Sequence, residues 1–174
     1  MPIIRCTKKL QREMGLRPAD LSREAPDSSP LGAWHANLLH IDRRKCVLFT
    51  NDRTLFNFIV PGVKRAEIRK LDQLFLSWMP SVLNEERLPG DLVEQIMAES
   101  AHVVYGSACD RSVLGTMNDL AFHYKFLVHD AGGIHSAEVP DIIHKLNHMP
   151  MRALQYMLPV EELKALYGID RNRV

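Results

Sequence analysis

The chain has 174 residues, 46% apolar and 25% charged, with a formal net charge of +1, the mix of one ordinary globular domain rather than a fibrous or disordered chain. No run approaches the roughly 18 consecutive apolar residues of a membrane-spanning helix, and the N-terminus lacks the apolar core of a secretory signal. Cys6, Cys46 and Cys109 are far apart and show no Cys-x-x-Cys spacing, so the expectation is a single cytoplasmic domain over residues 1–174 with reduced cysteines and no disulfide framework, metal or cofactor.

The near-neutral total hides an asymmetry: residues 1–70 carry 14 Lys/Arg against 7 Asp/Glu, and the remainder 8 against 14. The basic part either packs beside the acidic part or presents a face to phosphate.

In chain order, Ile3-Ile4 reads as a strand feeding a short helix that Thr7 caps and Gly15 ends. Residues 16–33, with Pro18, Pro26, Pro30 and Gly32, have no apolar period and read as a long surface loop, a lid or simply mobile. From Trp34 to Val60, three β-prone runs separated by Asp42-Arg43-Arg44-Lys45 and Asn51-Asp52-Arg53 predict an antiparallel meander. Its alternate positions are apolar on both sides, so helices or a second subunit must cover both faces.

Beyond Pro61-Gly62, Ile68, Leu71, Leu74, Phe75, Trp78 and Val82 recur at the spacing of one amphipathic helix, and Leu92, Val93, Ile96 and Met97 mark another. His102–Tyr105 reads as a short strand. A long helix from Asp110 or Ser112 to Gly132-Gly133 carries Val113, Met117, Leu120, Tyr124 and Val128 on one side and Phe122 and Phe126 on the other, which predicts a central helix. The tail is helical, with Pro140 and Pro159 in first turns and Gly168 as a stop. The whole predicts an α+β fold: an antiparallel sheet, the meander 34–60 plus the N-terminal strand, packed by helices from the second half.

Chemistry-bearing residues fall into a few groups. Thr7, Lys8 and Lys9 at a helix start, and Arg43, Arg44 and Lys45 at a hairpin tip, have the charges and donors to hold a polyanion. Asn37, Thr50, Asn51 and Ser112 place polar groups where they either satisfy turns or line a pocket. His35 as a base oriented by Asp52 is a conceivable pair, and Asn118 and Asp119 with them complete a set of catalytic candidates. Asp119 and His123 have i,i+4 spacing but are too few to hold a metal, and the other histidines, His144 and His148 among them, show no ligand repeat.

The ordered blocks Arg5-Cys6-Thr7-Lys8-Lys9-Leu10, Ala36-Asn37-Leu38-Leu39, Asp42 to Asn51, Thr54-Leu55-Phe56, Val60-Pro61-Gly62 and Ser112 to Leu120 resemble a family of small bacterial proteins defined only as a domain of unknown function. Thr116 stands where that family's block has Ser. The resemblance implies a bacterial cytoplasmic source and one intact domain, and no activity. The leading expectation is a noncatalytic module that binds nucleic acid or another polyanion through the basic N-terminal face. The alternatives are a small hydrolase or transferase acting on a phosphate-bearing substrate, and a protein-interaction component such as a homodimer.

Overall fold

In the computed structural model, which describes residues 2–23 and 29–169, the first strand β1 (Ile3–Cys6) runs into helix α1 (Lys8–Met14), ended by Gly15 at φ +76°. The meander follows as β2 (Trp34–Ile41), β3 (Arg44–Asn51) and β4 (Asn57–Val60). Helices α2 (Arg65–Ile68), α3 (Leu71–Glu85) and α4 (Gly90–Glu99) precede β5 (Val104–Ser107). Helices α5 (Arg111–Asp130), α6 (Val139–Asn147) and α7 (Pro159–Leu166) complete the described chain.

The five strands form one sheet in the order β4-β3-β2-β1-β5. The meander is antiparallel, but β1 pairs parallel with both β2 and β5. The sheet is therefore mixed, which corrects the antiparallel expectation. The reason is the connection: α1 and the following segment carry the chain back to the end from which β1 started, as a parallel neighbour requires.

Register fixes the two faces. Ile4, Cys6, Trp34, Ala36, Phe49 and Phe58 share one, which α1 and α3 cover. There the Phe75 ring lies 5.1 Å from Trp34, 5.2 Å from Phe49 and 5.8 Å from Phe58, centroid to centroid. The opposite face, with Arg5, His35, Asn37, Thr50 and Asn57, lies under α5 and α6. The chain's own helices thus cover the sheet, and no second subunit is needed for that.

Local chemistry explains several departures from the sequence reading. The single helix expected over Ile68–Val82 is two, broken at Arg69-Lys70, where Lys70 leaves helical geometry at φ −114°, ψ 53°. Thr7 occupies the cap position of α1 but its side chain makes no capping bond; the hydroxyl donates instead to Asn37 Oδ1 at 2.8 Å. Asp110 does cap α5, accepting from Ser112 and Val113. Phe122 and Phe126 are 70% and 63% exposed, so α5 lies on the surface with a second apolar side uncovered, and is not the central helix expected. The strand expected at 102–105 is shifted two residues on. Within the 16–33 loop, Pro18–Asp20 form a 3-10 turn and the Ser22 N–H donates to the Tyr105 carbonyl. Residues 24–28, and with them the reading of that loop as a lid, lie outside the described residues.

All three cysteines are unpaired. Burial pushes the Cys6 thiol up to about 12 and raises Cys46 as well, whereas Cys109 is exposed with the Arg5 guanidinium 3.5 Å from its sulfur. Iodoacetamide at neutral pH is accordingly expected to label Cys109 alone in the folded protein and all three cysteines in denaturant, read by mass spectrometry. Labelling of Cys6 as fast as Cys109 would contradict the closed face beneath α1.

Candidate functional site

The β2–β3 hairpin turns on Asp42 and Arg43, whose φ values of +47° and +64° are those of a two-residue type I′ turn. That turn leaves Arg43 and Arg44 exposed at the tip. One residue pair back along the ladder, His40 stands opposite Lys45. From the neighbouring α1, Lys9 Nζ comes to 3.3 Å from His40 Nδ1. Lys9 from one of the basic segments singled out in the sequence and Lys45 from the other thus stand beside His40 at one rim of the sheet. Arg65 on α2 lies 3.9 Å from Glu13, which also takes an ion pair from Lys45. On the other side of the tip, His129 of α5 contacts Asp42 at 2.6 Å.

The electrostatics follow from this crowding. Partial burial, then the ammonium groups of Lys9, Lys45 and Lys125, hold the His40 imidazole below the usual histidine range. The Lys45 hydrogen bond holds Glu13 below the usual carboxylate range. Glu13 is the acidic group that ties Lys45 and Arg65 together; Lys9 and Lys125 bear on His40 from α1 and α5, and Lys8, Arg43 and Arg44 are exposed. His40, Arg65 and Lys125 were not singled out in the sequence, because only the fold brings α1, α2 and α5 to the hairpin.

A second polar arrangement crosses the sheet interior. Gly106, Arg5, His35, Thr50 and Asn57 are successive partners in one row across the five strands. His35 is fully buried, and its Nδ1 lies 2.5 Å from Asp52 Oδ1, so the pair conceived from sequence does form. Arg5 Nε sits 3.8 Å from the other Asp52 oxygen. His35 Nε2 is enclosed and has no hydrogen-bond partner, and the pair holds β2 to the β3 end. Thr50 Oγ1 is likewise enclosed without a partner.

The remaining candidates separate. Asn51 is fully buried and spends its amide on Leu31 and Ala33 carbonyls and its oxygen on Arg53 and Thr54. That is a turn-holding role. Asn118 and Asp119 are exposed on α5, as is Ser112 at its start. Asp119 and His123 line a cleft of about 270 Å³ with Arg152, but among the described residues no third ligand joins them. Asn51 and Asp52 bond to the 31–33 segment, His35, Arg5 and their own turn, and among the described residues no hydrogen bond joins them to Asn118 or Asp119. Among the described residues, groups able to hold a cation gather elsewhere, at Glu86, His144 and His148, two histidines that show no ligand repeat in the sequence. Burial pushes Glu86 up to about 7.

Among the described residues, no helix is long and apolar enough to cross a membrane. No curated protein matches the chain. Its residues 3–162 match the sequence profile of a domain of unknown function, and on that match the chain belongs to the DUF6933 family.

Proposed function

We propose that the protein is a noncatalytic binding module that takes the phosphate backbone of a nucleic acid on the rim formed by Lys8, Lys9, Arg43, Arg44, Lys45 and Lys125. One observation carries the reading: α1 and the hairpin tip meet at His40, so charges 30 residues and more apart in sequence stand side by side. Guanidinium and ammonium groups on an exposed tip suit phosphate oxygens, and nothing in that geometry selects a base. The three unpaired cysteines support a reducing compartment, the cytoplasm of a bacterium in this reading.

Fluorescence anisotropy with labelled single- and double-stranded DNA and RNA across a salt series tests it. Wild type is expected to bind more weakly as salt rises, with a log–log slope of about −3 to −5, and the Arg43→Ala/Arg44→Ala/Lys45→Ala variant to lose about 2 to 3 units of that slope. Absence of binding at low salt, or a variant that binds like wild type, overturns the reading. Phosphate binding would also raise the His40 pKa back toward its ordinary value, a shift visible in the imidazole NMR titration.

A second reading, a protein-interaction component such as a homodimer, is favoured by the exposed Phe122 and Phe126 on α5. Light scattering that shows a monomer at micromolar concentration removes the homodimer.

A further inference from the structure

We propose that Glu86, His144 and His148 form a site for a divalent transition-metal ion of the zinc type, independent of the basic rim. The sequence builds it from two elements. Glu86 follows the last residue of α3, and the next residue, Arg87, takes a left-handed conformation at φ +54° that turns the chain away. That turn leaves the Glu86 side chain pointing inward, only 1% exposed. His144 in the last turn of α6 and His148 just after it are four apart and share one helix face, with ring centroids 4.0 Å apart.

The distances suit one ion. His144 Nδ1 is 3.1 Å and His148 Nδ1 3.6 Å from the same Glu86 oxygen, and donor atoms from all three residues lie within 4.8 Å of one another. Ligands bound tetrahedrally at zinc distances stand about 3.3 Å from each other, so small side-chain adjustments suffice. The independent observation is Glu86 itself: both carboxylate oxygens are enclosed, and neither accepts a hydrogen bond. A carboxylate in that position calls for a cation. His148 Nδ1 also lies 2.8 Å from the His144 carbonyl, so ligation through that nitrogen replaces this contact, while ligation through Nε2 keeps it as the bond that orients the ring.

Three protein ligands leave a fourth position, and it faces a cleft of about 580 Å³ lined also by Glu85, Arg87, Asp141 and Lys164. Those four groups carry two charges of each sign, and Lys164 is already paired with Glu161 at 3.2 Å. Two imidazoles and one carboxylate favour a borderline ion over magnesium or calcium, which prefer all-oxygen shells. The open position makes this a labile or reactive site rather than a closed structural one.

The test is calorimetric titration of the metal-stripped protein with Zn²⁺, with Mg²⁺ as control, together with Co²⁺ absorption spectra and imidazole NMR. Binding of one equivalent of Zn²⁺, with shifts of the His144 and His148 ring signals and tetrahedral cobalt bands, is the expected result. His144→Gln and His148→Gln are each expected to weaken Zn²⁺ binding at least 100-fold, and Mg²⁺ to leave the ring signals unmoved. His144 is half exposed, so its variant keeps the fold; the wild-type ring signals decide the matter without any variant. Zn²⁺ that fails to bind, or that binds without moving those two rings, overturns the proposal.

Discussion

Alanine in place of Asn147 is expected to lower stability by about 3 to 5 kcal/mol, the largest loss available from one surface-remote polar side chain here. Asn147 lies at the end of α6, fully buried against β4. Its Nδ2 donates to the Asn57 carbonyl at 2.7 Å, and its Oδ1 accepts from the Asn57 backbone N–H at 2.9 Å. The side-chain amide therefore does for β4 what a sixth strand would do, meeting both outward-facing groups of one residue. Tyr124 closes the network by donating to Asn57 Oδ1 at 2.7 Å. Removing the amide strands a buried N–H and a buried C=O, each costing about 1 to 3 kcal/mol. Asn147→Asp keeps the acceptor and loses the donor, so it ought to be no better. Tyr124→Phe removes one bond to a side chain and is expected to cost only about 1 to 2 kcal/mol. Urea denaturation of the three variants checks the ranking; a loss under about 1 kcal/mol for Asn147→Ala would show that β4 does not depend on this pairing.

The second large effect is at Asp52. In Asp52→Ala the wholly enclosed His35 loses its one hydrogen bond, and Arg5 loses its carboxylate. The expected cost is about 2 to 4 kcal/mol, mostly the desolvation of an imidazole left with no partner on either nitrogen. The ion pair to Arg5 adds little, because Arg5 is one-third exposed and water screens it. Asp52→Asn retains an acceptor and should lose less than half as much. Replacing His35 by leucine in the Asp52→Ala background should recover part of the loss, since the unpaired ring is gone; a double-mutant cycle by thermal or urea unfolding measures the coupling. Unchanged stability in Asp52→Ala would mean that the pair does not hold the sheet. Nucleic-acid affinity is expected to stay at the wild-type level in every one of these variants, because none touches the rim.

Much of the fold was legible because local pattern determines it. The period-2 runs from Trp34 to Val60, the turn at Asp42-Arg43, the Asp110 cap and the proline starts of α6 and α7 are all short-range signals, and each appears where the residues place it. Strand direction was not legible: alternation reads the same for a parallel or an antiparallel neighbour, and the partners of β1 are decided by distant residues. The far side of α5 misled for a related reason, since Phe122 and Phe126 show an apolar pattern but not whether anything covers it. At the candidate sites, the residue types placed Arg43 and Arg44 at a turn and His35 beside Asp52, and the structure has both arrangements. Glu86 gave no signal at all, because it lies some 60 residues before the histidines it meets, and only the packing of α3 against α6 joins them.

The position of β1 bears on how the chain assembles. The strand made first becomes interior to the sheet, and one of its two neighbours is β5, about 100 residues later. As the chain emerges during synthesis, the meander can form from contacts within residues 34–60, but Ile3–Cys6 keeps one unpaired side until residue 107 has appeared. Closure of a loop that long is slow relative to hairpin formation. The rate-limiting event in folding is then expected to be the capture of β5 by β1, with the meander already in place as the surface on which it occurs.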